Sequence, residues 1–119
     1  MRYTVKLHGV IVGHSELQER DESVGRAWGP FRPGFGYELV QPVFRLFSEA
    51  VPMPGGEPRD QEKLERYHAA RDRLGLSLVD ANGDLVATSA IHISDYLEEK
   101  GILEMEALIS DAAFWDTGS

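Results

Sequence analysis

Two histidines, each followed closely by a carboxylate, are the residues of this sequence best suited to proton transfer or metal binding. His14 precedes Glu16 by two positions, and His92 precedes Asp95 by three. Imidazole and carboxylate groups act as general bases and as metal ligands. No two histidines have the i, i+4 spacing of a helical metal motif, so these side chains form one site only where the fold brings them together. A small metal-dependent or acid–base enzyme using His14, His92, Asp95 and Glu16 is therefore one alternative function.

Two partial motifs have simpler structural explanations. Gly13-His14-Ser15-Glu16-Leu17 lacks the second glycine of a serine-hydrolase nucleophile elbow. Asp80-x-Asn82-x-Asp84 matches the first ligand positions of a calcium loop, but Leu85 and Ile91 stand where that loop needs glycine and glutamate. Asn82-Gly83 between apolar runs is instead a strong signal of a β-hairpin turn. Neither motif predicts a catalytic residue, a metal or another cofactor.

The segment from residue 26 to residue 37 is the best candidate for a binding surface. Its aromatic and arginine residues are Arg26, Trp28, Phe31, Arg32, Phe35 and Tyr37. Tryptophan, tyrosine and arginine are enriched at binding hot spots. The glycines and prolines between them predict a long loop and exclude a regular helix or a central strand. The loop is expected either to present rigid anchors to a partner or to fold back and close one side of the core.

A pocket beneath this loop would give a different function. Ligand pockets are lined mainly by aromatic and apolar side chains with a few polar groups that fix the ligand's orientation. The segment over residues 26–37 has that composition. A small-molecule-binding domain is therefore the second alternative.

The whole net charge of −8 comes from the last 45 residues, where nine acids face Lys100 alone. Four of these acids are predicted to form an acidic binding surface: Glu98, Glu99, Glu104 and Glu106. This charge argues against sequence-independent binding to double-stranded nucleic acid and to anionic membranes, and it favours a basic protein partner. Solubility alone would also explain it.

The first half of the chain predicts a hairpin and two helices. Alternation over residues 2–7 and 10–17 predicts two strands around a turn at His8-Gly9. The predicted pairs are Leu7–Val10, Val5–Val12 and Tyr3–His14. Helical periodicity predicts a helix over residues 40–51, with Pro42 in its first turn. A second helix is expected to be capped by Asp60 and ended by Gly75.

The second half predicts three more strands. They cover residues 76–80, 85–93 and 102–109, with Asn82-Gly83 in the turn between the first two. A short helical turn over residues 94–100 is expected to end at Gly101, and Ser110 is expected to cap a last short helix. The short helical turn over residues 94–100 therefore separates the predicted strand over residues 85–93 from the one over residues 102–109.

These elements predict one α+β domain over residues 1–119. A β-hairpin, two helices, a three-strand meander and a short C-terminal helix would give a mainly antiparallel sheet of about five strands. No uncharged apolar run approaches the roughly 20 residues of a membrane helix. The absence of cysteine suits the cytoplasm. The leading function is a non-catalytic module that docks a basic protein, as inhibitors, antitoxins, immunity proteins and adaptors do.

Overall fold

Nine strands and four helices form the fold of residues 1–116, which the computed structural model describes. The strands are β1 (Tyr3–Leu7), β2 (Val10–Ser15), β3 (Glu19–Asp21), β4 (Arg26–Pro30), β5 (Arg32–Pro33), β6 (Ser77–Val79), β7 (Leu85–Val86), β8 (Thr88–Tyr96) and β9 (Ile102–Ile109). The helices are α1 (Tyr37–Ala50), α2 (Gln61–Leu74), α3 (Leu97–Lys100) and α4 (Ala112–Trp115), with a single 3-10 turn over Glu22–Val24.

The strands form two antiparallel sheets. The first sheet has the order β5-β2-β1-β6-β7, and the second sheet has the order β3-β4-β9-β8. The α+β class with antiparallel pairing is confirmed. The strands are divided between two sheets, because β7 pairs with β6 whereas β8 pairs with β9.

The first hairpin forms around the predicted turn. His8 and Gly9 both have positive φ, 49° and 85°, which is the geometry of a two-residue hairpin loop. Leu7 pairs with Val10 as predicted. The prediction for the rest of the hairpin was wrong by one residue, because a β-bulge follows. The observed pairs beyond it are Val5–Gly13, Thr4–His14 and Tyr3–Ser15. The bulge leaves two successive residues, Val12 and Gly13, both buried.

The prediction that glycine and proline exclude a central strand from the aromatic segment was wrong. β4 lies between β3 and β9 inside the second sheet. Pro30 is the last residue of β4 and Pro33 is the last residue of β5, so neither proline interrupts a strand. Gly29 lies where a Cβ atom would come within 2.3 Å of the Gln18 side chain. Gly29 is therefore a regular residue of a paired strand, packed closely under the end of the Gln18 side chain.

Helix α1 begins three residues earlier than predicted. Gly34 and Gly36 each donate a backbone hydrogen bond to β2, which fixes the chain just before Tyr37. Pro42 consequently lies inside the helix instead of in its first turn. It removes the backbone N–H that the carbonyl of Glu38 would otherwise accept.

Helix α2 has the predicted termini. The Asp60 carboxylate accepts the backbone N–H of Lys63 at 2.9 Å, and Gly75 ends the helix with a left-handed φ of 66°. Its one fully buried side chain among the described residues is Tyr67. Leu64 and Leu74 pack partly buried against the same core, so Tyr67 is the deepest of the contacts between the helix and the core.

The Asn82-Gly83 turn between β6 and β7 is confirmed. Gly83 has a φ of 85° and donates its N–H to the Asp80 carbonyl at 3.0 Å. The Asp80 carboxylate accepts the N–H groups of Asn82 and Asp84 at 2.9 and 3.0 Å. These hydrogen bonds explain the acidic spacing of the turn without an ion.

Three boundaries in the last third differ from the predictions. The predicted strand over residues 85–93 is broken at Ala87, which separates β7 from β8. β8 then continues to Tyr96, so the helical turn before Gly101 is only α3. Asp111, not Ser110, caps α4 by accepting the Ala113 N–H at 3.0 Å. The strand over residues 102–109 is confirmed as β9.

One core joins both sheets to the helices. Tyr3 and Val12 from the first sheet, Ile93 and Met105 from the second and Phe44 from α1 belong to the same buried cluster. Of the helices within residues 1–116, none is long and apolar enough to cross a membrane.

Candidate functional site

The second sheet has one face packed on the core and one face that carries polar side chains. Alternate residues of a strand point to opposite faces. Gly29, Met105 and Ile93 form a row on the core face. The opposite face, called the cavity face here, carries two neighbouring rows: Trp28, Glu106 and His92, and then Pro30, Glu104 and Ser94. Side chains in such rows are close enough to interact across the strands.

A cavity of about 430 Å³ lies over the cavity face. Helix α2, the end of α1 and the Pro54-Gly55 turn supply its other walls. Side chains from outside the sheet that line it include Phe47, Tyr67, His68 and Arg71. The cavity thus combines aromatic, hydrogen-bonding and charged groups from segments that are far apart in the chain.

A chain of three hydrogen-bonded side chains crosses the floor of the cavity. The Tyr67 hydroxyl is bonded to Nδ1 of His92, and Nε2 of His92 lies 3.0 Å from Ser94 Oγ. The edge of the imidazole packs on the Phe47 ring at 4.4 Å between centroids. Both ring nitrogens have partners and the ring is held by packing, so the imidazole has one fixed orientation.

Both ionisable groups of this chain stay neutral at pH 7. Burial, with smaller contributions from the positive charges of Arg71 and His68, lowers the pKa of His92 to about 4. Burial also raises the pKa of the Tyr67 hydroxyl well above its usual range. A neutral imidazole donates at one nitrogen and accepts at the other, so the chain from Tyr67 to Ser94 is directional.

We expect the protein to lose stability between pH 6.5 and pH 4 because of His92. In this window the unfolded chain binds a proton at His92 that the folded protein does not bind, so the free energy of unfolding falls as the pH falls. At about 1.4 kcal/mol per pKa unit, the loss is up to about 3 kcal/mol. Urea unfolding at a series of pH values measures it.

The His92→Gln variant is the control for this pH dependence. Carboxylates and His14 titrate in both proteins, so the difference between their stability–pH curves isolates His92. Arg71 and His68 from α2 and Glu106 from β9 line the same cavity in both proteins. Parallel curves for the two proteins would contradict the assignment.

Arg26, Trp28 and Glu106 form a second wall of the cavity. Arg26 Nε donates to Glu106 Oε2 at 2.7 Å, and the guanidinium carbon lies 3.9 Å from the centre of the Trp28 ring. Ion pairing and stacking both hold the guanidinium in place. The sequence predicted all three residues as binding residues, and the structure places them together.

The other aromatic residues of the segment lie elsewhere. Phe31 and Tyr37 are buried and their ring centroids are 5.5 Å apart. The Tyr37 hydroxyl donates to Asp95 Oδ2 at 2.6 Å. Phe35 and Arg32 are exposed beside the first sheet. Of the six predicted residues of the segment, Phe31 and Tyr37 therefore lie in the core. Arg26 and Trp28 line the cavity, and Arg32 and Phe35 lie on the surface beside the first sheet.

The four predicted surface acids are divided in the same way. Glu104 and Glu106 line the cavity, whereas Glu98 and Glu99 lie on α3. Glu99 is paired with Arg45 at 2.9 Å. Two of the four predicted acids are therefore neutralised within the chain: Glu106 pairs with Arg26, and Glu99 pairs with Arg45.

The structure does not bring His14 and Glu16 to His92 and Asp95. His14 lies in the first sheet, with Nδ1 3.0 Å from Thr4 Oγ1. Together with Glu16 it lines a separate small cleft of about 100 Å³. The Asp95 carboxylate accepts hydrogen bonds from α1 instead. Within residues 1–116, no group of three or more His, Asp and Glu side chains is arranged to hold a metal.

Sequence reasoning missed most of the residues that α2 contributes. Tyr67 and Arg71 have the i, i+4 spacing of one helix face, and His68 is next to them. His92 and Ser94 have the i, i+2 spacing of one strand face. Both signals are present, but neither indicates that α2 packs against β8.

Comparison of the chain with models of protein families, with curated proteins and with solved structures finds no match.

Proposed function

We propose that this protein binds a small polar molecule in the cavity over the second sheet. The observation that carries the proposal is the convergence of side chains from α2, β4, β8 and β9 on one cavity of about 430 Å³. Ligand pockets of proteins have volumes of about 300–1,000 Å³ and a few placed polar groups within aromatic walls.

The fixed positions of the lining groups support the proposal. His92 is held by two hydrogen bonds and by the Phe47 ring, and Arg26 is held by Glu106 and Trp28. Side chains that are already ordered lose little conformational entropy when a ligand binds. The cavity is therefore organised before binding.

Trp28 provides a direct test. The chain has two tryptophans, so a Trp115→Phe variant leaves Trp28, in the cavity wall, as the only reporter. Native mass spectrometry of the purified protein identifies copurifying small molecules, and adding them is expected to change Trp28 fluorescence with saturation.

Two variants of strand β8 separate binding in the cavity from binding elsewhere. Ser94→Phe fills the cavity and is expected to abolish the fluorescence change. Ser89→Phe, on the same strand but outside this cavity, is expected to leave the change intact. Loss in both variants, or in neither, would contradict binding in this cavity.

A second proposal is that the chain docks a basic protein, through a surface that is neither the cavity nor the predicted acidic surface. Four apolar side chains are exposed near each other where β2 meets the start of α1: Val10, Ile11, Phe35 and Leu39. The backbone of residues 34–36 is hydrogen-bonded to β2, which keeps Phe35 beside Ile11. A fully exposed phenylalanine with apolar neighbours is typical of a protein-binding anchor.

The charge of the chain indicates which kind of protein would bind this surface. Glu38 is exposed next to Phe35, and the net charge of −8, which comes from the last 45 residues, attracts a basic protein at long range, so a basic protein is the partner proposed. An inhibitor, antitoxin, immunity protein or adaptor would act in this way. The absence of cysteine supports a cytoplasmic location.

The test of the docking proposal compares wild type with Phe35→Ala. A basic protein captured from cytoplasmic extract at low salt is purified, and its affinity for both chains is measured. We expect the variant to bind about 30-fold more weakly, the effect of losing a hot-spot residue. Equal affinities would exclude this surface.

A further inference from the structure

One side of the cavity is positively charged. Arg71 and His68 of α2 both line it. The only ion pair of Arg71 within residues 1–116 is a 3.3 Å contact with Asp72, whose side chain is 70% exposed. Exposed pairs of this kind are weak, and the guanidinium's other neighbour is the neutral Tyr67 side chain, 5.5 Å from it, so its charge is not balanced within the cavity. The positive charge of Arg71 acts on His92 and helps to lower its pKa.

The opposite side of the cavity is negatively charged. Glu104 and Glu106 of β9 line it, but Glu106 is neutralised by Arg26 at 2.7 Å. Glu104 is exposed and forms no ion pair with any residue in the described range 1–116. Glu104 is therefore the acid whose charge is not balanced within the cavity.

Strand β8 lies between the two charges and contributes no charge of its own to the cavity. Tyr67 of α2 bonds to His92 of β8, and Ser94 of β8 is directly opposite Glu104 of β9. Arg71 also borders residues 88–91 at the start of β8, whereas Glu104 is opposite Ser94, at least three residues further along the strand. At about 3.3 Å per residue, the parts of β8 next to Arg71 and Glu104 are roughly 10 Å apart. The floor between them is the neutral chain of Tyr67, His92 and Ser94.

We propose that the cavity binds a small molecule with an anionic group at one end and an amine at the other, separated by a chain of several atoms. The anionic group binds Arg71 and His68, and the amine binds Glu104. An α-amino acid is too short, because both of its charged groups are attached to one carbon atom. An ω-amino acid or a short peptide has the required separation.

The middle of the cavity fits the spacer of such a ligand. Phe47 and Ile102 line the cavity with apolar surface, and Ser94 offers a hydroxyl for a polar atom in the spacer. Opposite charges at the two ends also fix which way round the ligand binds. This inference rests on the proposed small-molecule binding and specifies its ligand class.

Three probes of the same length test the inference. The Trp115→Phe protein is titrated with 6-aminohexanoate, hexanoate and hexylamine. The titrations compare the affinity of a probe that carries both charges with the affinities of probes that carry only one. We expect 6-aminohexanoate to bind about tenfold more tightly than either singly charged probe, because each charge-assisted contact contributes about one factor of ten.

Two variants test each end separately. Arg71→Met is expected to weaken 6-aminohexanoate and hexanoate about tenfold and to leave hexylamine unchanged. Glu104→Gln is expected to weaken 6-aminohexanoate and hexylamine and to leave hexanoate unchanged. Arg73→Met and Glu98→Gln, outside the cavity, are the matched controls and are expected to change nothing.

The outcomes separate this inference from the proposed function. Equal binding of all three probes, or equal affinities in the variants, would overturn the inference. A second outcome is that 6-aminohexanoate does not bind, while another molecule gives a fluorescence change that the Ser94→Phe variant loses. This outcome would overturn the inference and leave the proposed function standing. No saturable signal from these probes or from any copurifying molecule would overturn both.

Discussion

Replacement of Tyr67 by alanine is expected to lower the free energy of unfolding by about 4 kcal/mol. The Tyr67 side chain is fully buried, and its ring centroid lies 5.2 Å from that of Phe47 and 6.2 Å from that of Phe44. Truncation would leave a cavity among these rings and would remove a hydrogen-bond partner of His92. It would also remove the one fully buried contact of α2 with the core and leave the partly buried Leu64 and Leu74 to hold the helix. Urea unfolding measures the loss.

Tyr67→Phe is the matched control. It keeps the ring and removes only the hydroxyl, so the expected loss is about 1–3 kcal/mol, because Nδ1 of His92 is left without this partner. The difference between the two variants is the contribution of ring packing. A loss below about 1 kcal/mol for the alanine variant would mean that α2 is held in another way.

Replacement of Phe31 by alanine is expected to destabilise the protein by about 4 kcal/mol. Phe31 is 4% exposed and its ring contacts the Tyr37 ring. The ring also lies directly on Gly13, where a Cβ atom would be only 2.2 Å from Phe31 Cζ. An aromatic side chain packed on glycine leaves a void that its neighbours cannot easily fill.

Phe35→Ala is the control within the same segment. Phe35 is fully exposed, so the expected change in the free energy of unfolding is below about 0.5 kcal/mol. Thermal or urea unfolding of the two variants thus shows which aromatic residue closes the core and which is free to bind. A large loss for both would show that Phe35 also packs against the protein in solution, and it would remove the surface proposed for protein docking.

The features that the sequence predicts well are those set by neighbouring residues. The turns at His8-Gly9 and Asn82-Gly83 form where glycine permits positive φ. The ends of α2 are set by the Asp60 cap and by Gly75. Each of these depends on a few consecutive residues, so a single sequence contains the necessary information.

The features that the sequence misses depend on distant partners. Gly29 is a signal of a loop in the sequence, yet it lies in a central strand because β4 pairs with β3 on one side and with β9 on the other. The break at Ala87 arises because β7 and β8 pair with strands of different sheets. Neither cause is visible in the neighbouring sequence.

The candidate site was partly predictable for the same reason. Arg26, Trp28 and Glu106 were singled out by residue type, and the β4–β9 register brings them together. His92 was identified, but with His14 as its expected neighbour. The side chains that actually surround His92 come from α1 and α2, whose packing against β8 has no local signal.

The sheet order has a consequence for aggregation, because each sheet ends in strands that a second chain could extend by hydrogen bonding. Strand β3 is short and entirely charged over Glu19–Asp21, and β5 and β7 have two residues each, with Pro33 in β5. The long strand β8 is covered by α1 at its C-terminal end, where Arg45 and Ser48 both donate to the Asp95 carbonyl. Short length, charge, proline and a covering helix are the devices that protect edge strands, so the protein is expected to remain free of intermolecular β-pairing even at high concentration.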